Sequence, residues 1–266
     1  MKERRRQIGA GKGTRSKKSG QSIFFDGYKK HTLCAMIRWN GKWRRVPVRS
    51  LARAGNISEQ RVVKPLLNFA RRQLRWPILF VIEDRGYINQ ELARWMRRAW
   101  GMAQVIHPKS NMVPPKGCDV DGCPLCPLGE RLVWEDYDSE SEQLIYRGDP
   151  DACRKCPLKG DCPRQFEYDA GRNETFAGMV PSHSRLAKQL LQKLRPQVEP
   201  GFNLAKNRYD LKSMYINSRH LAQTLCVACD VLETLNLMAQ ERPARGRETL
   251  KSLLAETSQL ELWDKF

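Results

Sequence analysis

Long apolar runs and acidic side chains are both scarce in this sequence of 266 residues. Its longest apolar runs have the length of a strand, whereas a membrane-spanning helix needs about 20 predominantly apolar residues. The first twenty residues hold eight Lys or Arg and one Glu, and no apolar segment of a secretory signal follows them. These absences predict a protein of the reducing cytoplasm without a membrane span.

The net charge of the chain indicates which class of partner it binds. The 47 Lys and Arg outnumber the 29 Asp and Glu, which gives a formal net charge of +18. Such an excess favours nucleic acid, because phosphates that a protein neutralises release their counterions. An anionic membrane surface is the main alternative.

The segment 1–21 is basic, polar and rich in Gly. It has too few apolar residues to offset the entropy of ordering, so we expect a flexible arm that is disordered away from DNA and contacts phosphates. A solvated basic tail without a role is the alternative.

The next part of the chain predicts a mixed α/β domain. Two strand-like runs, Ile23–Trp39 and Arg44–Leu51, flank Asn40-Gly41-Lys42, a strong hairpin signal. Amphipathic and apolar segments then alternate, which predicts an antiparallel hairpin joined to parallel strands. In order, they are a helix ending near Leu74, a strand at Ile78–Ile82, a helix from Asn89 to Gly101 and a short strand at Val105-Ile106.

Nine cysteines in a reducing compartment favour metal binding over disulfides. Six of them form two clusters with the close spacings of zinc ligands, and free thiols are the alternative. Four of the six suffice for one tetrahedral zinc, and a coupled site would use all six. They are Cys118, Cys123, Cys126, Cys153, Cys156 and Cys162. Cys34, Cys226 and Cys229 are expected in the core, because they lie in strand and helix patterns.

Two carboxylates are candidates for catalysis. Asp84 ends a predicted strand, where side chains point into the substrate crevice of such sheets, although Asp before Arg-Gly also suits a plain turn. Glu199 lies four residues after Arg195 and seven before Lys206, spacings that place all three on one face of a helix. That arrangement suits a metal ion beside a phosphate, and a solvent-facing, salt-bridged helix is the alternative.

Aromatic side chains are a further candidate for nucleic-acid binding, by stacking on bases. Packing within the hairpin and the helices is the favoured interpretation for most of the tryptophans considered: Trp39, Trp43, Trp76, Trp95 and Trp100.

Several segments together resemble the catalytic region of prokaryotic insertion-sequence DDE transposases, which have an RNase H-like fold. Asp84-Arg85-Gly86-Tyr87 is similar to the family's segment at the second catalytic Asp, and Arg195-x3-Glu199-x6-Lys206 to its third-carboxylate signature, with Gln192 where the family has Tyr. The other segments lie along Phe25 to Leu237 in the family's order. They are Gly27-Tyr28-Lys29-Lys30-His31, Gly55-Asn56, His107-Pro108-Lys109-Ser110-Asn111 and the cysteine clusters, which resemble a Cys-rich insert of one subgroup.

The resemblance implies DNA cleavage and strand transfer by two Mg²⁺ or Mn²⁺ ions. It implies that Asp84 and Glu199 bind metal, and that four cations hold DNA phosphates: Arg195, Lys206, Arg85 and Lys109. Terminal inverted repeats and a target DNA would be the partners, in the cytoplasm of a prokaryote and at its nucleoid.

One departure concerns the first catalytic Asp, which the family carries before Gly27. The basic arm has no Asp, and Asp26 is the sole nearby acid. The chain therefore resembles a truncated or frameshifted copy, with Asp26 as a secondary candidate for the missing ligand. A homodimer or a complementing transposase fragment is the expected protein partner.

The expected organisation is an arm (1–21), the first part of the catalytic domain (22–112), a Cys-rich zinc insert (113–168), a helical part carrying Glu199 (169–240) and a tail or helix (241–266). The favoured function is that of a transposase. A non-catalytic zinc-containing DNA-binding protein derived from one is the alternative, and a zinc-ribbon RNA-binding factor ranks third.

Overall fold

The computed structural model describes residues 10–16, 21–158, 160–163, 165–209, 211, 216 and 218–241. The described strands are β1 (Gly11–Ser16), β2 (Ser22–Trp39), β3 (Lys42–Ala54), β4 (Phe80–Ile82), β5 (Ala103–Val105), β6 (Leu132–Asp138), β7 (Gln143–Gly148) and β8 (Gln165–Asp169). The described α-helices are α1 (Gln60–Asn68), α2 (Gln90–Trp100), α3 (Pro150–Arg154), α4 (Arg185–Lys193), α5 (Glu199–Asn203) and α6 (Arg219–Glu241).

The chain forms two compact units, and each unit is built from more than one segment of the sequence. The first unit contains residues up to Ser58, Pro65–Leu67 and the chain from Gln197 onward. The second contains Glu59–Lys64 and Asn68–Pro196. The mixed α/β prediction is confirmed, since both units combine strands with helices.

In the first unit, β1, β2 and β3 form an antiparallel sheet in that order. The predicted hairpin is confirmed, because Trp39 pairs with Lys42 across a two-residue turn. Asn40 and Gly41 have φ angles of 48° and 75°, which are the positive values that a type I′ turn needs.

The arm was expected to be disordered, and this expectation is wrong for Gly11–Ser16. These residues form β1, which pairs with Ser22–Gly27 at the start of β2. Backbone hydrogen bonding to an exposed strand edge requires no apolar side chains, so the composition of the arm did not reveal it. Residues 1–9 and 17–20 lie outside the described part.

Helix α6 packs on β3 in the first unit. Ala52, Ala222 and Cys226 form a buried cluster between them. The Gln223 amide accepts from the Ala52 backbone N–H at 2.9 Å and donates to the Ser50 carbonyl at 2.7 Å. The helix therefore satisfies backbone groups at the outer edge of β3, which a sheet edge otherwise leaves open.

By length and composition alone, α6 is also long and apolar enough to cross a membrane, over Arg219–Gln240. The prediction of no membrane-length segment missed it, because polar residues interrupt its apolar ones. One such helix is weak evidence for a membrane span, since core helices of soluble proteins pass the same test.

The second unit contains the parallel pair β4 and β5, joined through α2. The predicted ends of α2 are confirmed. Asn89 accepts from the Leu92 N–H at 2.8 Å, and Gly101 ends the helix with φ of 61°. Residues of β5 and α4 share one buried cluster, whose members are Ala103, Val105, Val180, Ala187 and Leu191.

The cysteine-rich region contains three strands, β6, β7 and β8, which form an antiparallel sheet in that order. The sheet has its own apolar cluster of Leu132, Leu144, Tyr146 and Ala170. The sequence analysis did not foresee these strands. They give the region an apolar core of its own.

Candidate active site

Asp84 lies just beyond the carboxyl end of β4. The β4–β5 pairing reaches this point, because the Glu83 N–H donates to the Val105 carbonyl at 3.1 Å. Asp84 then caps a short 3₁₀ turn, Arg85–Tyr87, by accepting from the Arg85 N–H at 2.8 Å. Its side chain is 66% exposed and therefore open to a ligand. Asp84 can therefore cap the turn and also bind a ligand, because the cap uses Oδ1 and leaves Oδ2 of the carboxylate.

Arg195 contacts Asp84 within the second unit. Its guanidinium donates to Asp84 Oδ1 at 3.0 Å, across 111 positions of sequence. The Arg85 N–H bonds to the same oxygen, so neither bond uses Oδ2. Arg195 begins a 3₁₀ turn, Arg195–Val198, shortly after α4, and α4 shares its buried cluster with β5. Two segments that were singled out separately in the sequence therefore meet at one place.

Positive charge surrounds this contact. The pKa of His107 is lowered, chiefly by partial burial and further by the charges of Arg85 and Arg195. His107 follows β5, so a neutral imidazole and two guanidinium groups lie around the end of the strand pair. Such a group suits an anion such as a phosphate.

Two further carboxylates lie nearby, and the sequence analysis missed both. The pKa of Tyr87 is raised by burial and then by the charges of Glu59, Glu83 and Asp84. Glu59 lies so close to Gly86 that a side chain at Gly86 would collide with its carboxylate. Glu83 adjoins Asp84 in sequence, which was an available signal, whereas Glu59 has no such signal.

Glu83 faces β5 rather than solvent. It accepts a hydrogen bond from Gln104 Nε2 at 2.5 Å. Burial raises its pKa to about 7, although the Gln104 hydrogen bond opposes the shift. Glu83 is therefore a half-buried acid whose pKa lies near neutral pH, directly before Asp84 in the sequence.

Lys109 and Arg85 are both exposed at this end of the second unit. Lys109 begins a turn in which the Met112 N–H donates to its carbonyl at 3.0 Å. Their exposure is compatible with the predicted contacts to DNA phosphates.

Glu199 and Lys206 belong to the first unit, whereas Arg195 belongs to the second. Both are exposed, Glu199 at the start of α5 and Lys206 in a π-helical turn, Leu204–Arg208. The argument that one helix face carries Arg195, Glu199 and Lys206 is wrong. The segment changes from 3₁₀ to α to π geometry, so a period of 3.6 residues does not hold across it.

Asp26 pairs with Lys12 through the β1–β2 ladder. Its side chain lies outside the part that the structure describes, so its role as a ligand stays a prediction.

The six cysteines of the insert differ in their surroundings. Cys123 is buried, and its thiol donates to the Leu132 carbonyl at 3.2 Å. Partial burial raises the pKa of Cys162, and the thiolates of Cys156, Cys126 and Cys153 raise it further. Cys118 is half-buried, and burial followed by the charge of Cys123 raises its pKa. Cys123 is therefore a buried thiol, while three other cysteines lie close enough to Cys162 to raise its pKa.

The described residues contain no group of three or more His, Cys, Asp or Glu side chains arranged to hold a metal ion. For zinc, the six thiols as placed do not fit, and the zinc prediction gains no support. For magnesium, Asp84 Oδ2 is a suitable hard oxygen ligand, although Arg195 already neutralises part of the carboxylate charge.

The prediction of core positions is confirmed for Cys226 and Cys229, whereas Cys34 is only half-buried. Cys226 and Cys229 are buried on α6, and burial raises the pKa of Cys226 to about 12. Arg45 Nη1 donates to Cys34 Sγ at 3.0 Å. All three thiols lie in the first unit.

A strand-end carboxylate among arginines is the kind of site that handles phosphates and divalent metal ions. The Transposase DDE domain family model matches residues 4–229, which is most of the chain. The chain therefore belongs to the DDE transposase family, as its sequence segments predicted. Domains of this family use divalent metal ions and act on DNA. No curated protein and no solved structure matches the chain.

Proposed function

We propose that the chain is the catalytic part of an insertion-sequence transposase with an RNase H-like fold, which cuts and joins DNA strands by phosphoryl transfer. The contact between Arg195 and Asp84 carries the proposal. It joins the second-Asp segment to the first residue of the third-carboxylate segment, as one phosphate- and metal-handling site requires. The hairpin β2–β3 and the parallel pair β4–β5 support the fold.

In this proposal, Asp84 and Glu199 hold Mg²⁺ or Mn²⁺. Such an ion would activate the attacking hydroxyl and stabilise the leaving oxygen. Arg195, Arg85 and Lys109 bind phosphates near Asp84, and Lys206 does so near Glu199. The side chains position the scissile phosphate and offset its charge.

A non-catalytic DNA-binding protein is the second candidate. The observation that favours it is the charge on Asp84, which Arg195 partly neutralises, in a site where no three of the described side chains are arranged to hold a metal ion. A weak metal site would leave DNA binding intact, since that depends on the excess of cations.

The proposed protein partners are those that could supply the missing first catalytic Asp. If the first Asp comes from another polypeptide, a complementing fragment or a second copy would complete the site. The domain division at residues 21, 112, 168 and 240 and the cytoplasmic location at the nucleoid remain parts of the proposal.

Cleavage of DNA that carries the element's own ends tests the proposal. The protein is incubated with Mg²⁺ or Mn²⁺, alone and with a transposase fragment that supplies the first catalytic Asp. Asp84→Asn keeps the turn cap and should reduce cleavage by about a hundredfold or more, because it removes a ligand charge. DNA binding should stay within about threefold, since the net charge changes little.

Asp138→Asn is the matched control, because this exposed Asp also caps a turn in the second unit. Cleavage that depends on Asp84 supports the transposase reaction. DNA binding without any cleavage, in both mixtures and with both metals, supports the second candidate.

A further inference from the structure

The tip of the β2–β3 hairpin is exposed on every residue. It comprises Arg38–Trp43, the six residues around the Asn40-Gly41 turn. Trp39 is 38% exposed and Trp43 is 43% exposed, large values for side chains with so much apolar surface. The expectation that the tryptophans pack within the hairpin is wrong at this position.

The pairing register distributes the tip side chains over two faces. Trp39 pairs with Lys42, and Arg38 pairs with Trp43. Paired residues share a face and successive residues alternate, so each face of the ribbon carries one tryptophan and one cation. The tip is therefore a two-sided wedge with an aromatic plane and a positive charge on each side.

From Gly27 through β3 to Ser58, the chain carries no acidic side chain. Residues 27–58 contain eight Lys or Arg and no Asp or Glu. Two of these cations bind acids of α6, Lys30 to Asp230 at 2.5 Å and Arg45 to Glu233. These ion pairs lie along the body of the hairpin, and Arg38 and Lys42 are at its exposed end.

The tip suits unpaired bases better than a membrane. A bilayer surface binds a continuous apolar face, whereas Trp39 and Trp43 point to opposite faces. Aromatic side chains beside cations are the usual platform for bases of single-stranded nucleic acid. A two-stranded ribbon is also narrow enough for the major groove of a duplex.

We propose that the tip Arg38–Trp43 binds unpaired DNA bases, with Trp39 and Trp43 each stacking on a base and Arg38 and Lys42 binding the adjoining phosphates. This inference rests on DNA as the partner in the proposed function, and it adds a site for unpaired bases away from Asp84. The tip separates or holds frayed strands at a DNA end.

The test compares two DNAs by fluorescence anisotropy, a blunt duplex and the same duplex with a single-stranded overhang. The full chain is compared with Trp39→Ala/Trp43→Ala. We expect the double variant to bind the overhang DNA roughly tenfold or more weakly and the blunt duplex within about threefold of wild type. Trp39→Phe/Trp43→Phe should restore most of the loss, because Phe still stacks.

Trp76→Ala is the matched control, because Trp76 is 42% exposed but belongs to the second unit. It should leave both affinities unchanged. Equal thermal midpoints for all variants would show that the fold is intact. Arg38→Gln/Lys42→Gln should reduce the salt dependence of overhang binding, since fewer counterions are released.

The outcomes separate this inference from the proposed function. Equal losses on both DNAs, or no loss on either, would overturn the tip as a site for unpaired bases. Loss of binding to anionic vesicles without loss on overhang DNA would assign the tip to membranes instead. Failure of the wild-type chain to bind the blunt duplex would count against the proposed function itself.

Discussion

Arg195 and Asp84 form an ion pair of 3.0 Å between side chains that are 40% and 66% exposed. At this exposure the pair itself adds little stability, about 0–1 kcal/mol. The pair matters because of its position. A metal ion at the end of β4 would bind the same Asp84 carboxylate that Arg195 now contacts. The guanidinium therefore competes with a metal ion for Asp84 unless a phosphate draws it away.

Replacing Arg195 by Gln should weaken DNA binding by several-fold and lower the salt slope by about 1, because one phosphate contact is lost. Affinity for duplex DNA at several salt concentrations measures this. Arg154→Gln is the control, an exposed arginine of the same unit that pairs only locally with Asp151. An unchanged salt slope would show that Arg195 serves Asp84 alone.

Glu83 should make the stability of the second unit depend on pH. Its folded-state pKa of about 7 exceeds its ordinary value of 4.5, so the folded state holds the proton more tightly. The stabilisation is complete below pH 4.5 and is lost as the pH rises to 7, at a cost of about 2–3 kcal/mol.

Glu83→Gln should flatten this decline, because Gln carries no charge at any of these pH values. Urea unfolding between pH 4.5 and 8 measures the difference from wild type. Glu140→Gln, an exposed glutamate of the same unit, should run parallel to wild type. A Glu83 variant that also runs parallel would mean that the carboxyl ionises freely.

The buried pair Arg97 and Glu174 should be a major support of the second unit. Both side chains are 2% exposed, and the guanidinium donates to both Glu174 oxygens, at 2.8 and 3.2 Å. Glu174→Gln should cost about 3 kcal/mol in the free energy of unfolding, because a buried cation loses a charged partner and keeps the half-buried Glu142 and the Tyr137 hydroxyl. Denaturant unfolding measures the cost, and a value below about 1 kcal/mol would contradict it.

Removing metal should leave the insert folded. Its three strands have the apolar cluster around Tyr146 and Leu144, which are both fully buried. We expect the near-ultraviolet circular dichroism and the thermal midpoint to be the same with and without a strong chelator. A large loss of structure on chelation would instead support the zinc site that the cysteine spacing predicted.

Local signals made much of the fold predictable. Asn89 and Gly101 fix the ends of α2 through bonds and angles that involve only near neighbours, and Asn40-Gly41 fixes the hairpin turn in the same way. The strands of the insert were missed, because the cysteine spacing is the stronger pattern in this part of the sequence. Apolar and polar residues alternate only weakly along these strands, and β6 contains a bulge between Trp134 and Asp136.

The candidate site was predictable only in part. Asp84 was recognised from its position after a strand, but its contact with Arg195 depends on how α4 packs near β5. The helix-face argument failed, because Pro196 and Pro200 lack the backbone N–H groups that a regular helix uses. Glu59 came to the site through tertiary packing against Gly86, which no local pattern records.

The ion pair between Lys30 and Asp230 spans 200 positions of the chain. Ribosomes release a chain from its N-terminus, so the hairpin emerges long before the helix that covers its edge and neutralises two of its cations. During that interval the ribosome completes all residues of the second unit, which lies between the hairpin and α6 in sequence. During synthesis, the second unit can therefore complete its fold before the first unit, which needs the chain from Gln197 onward.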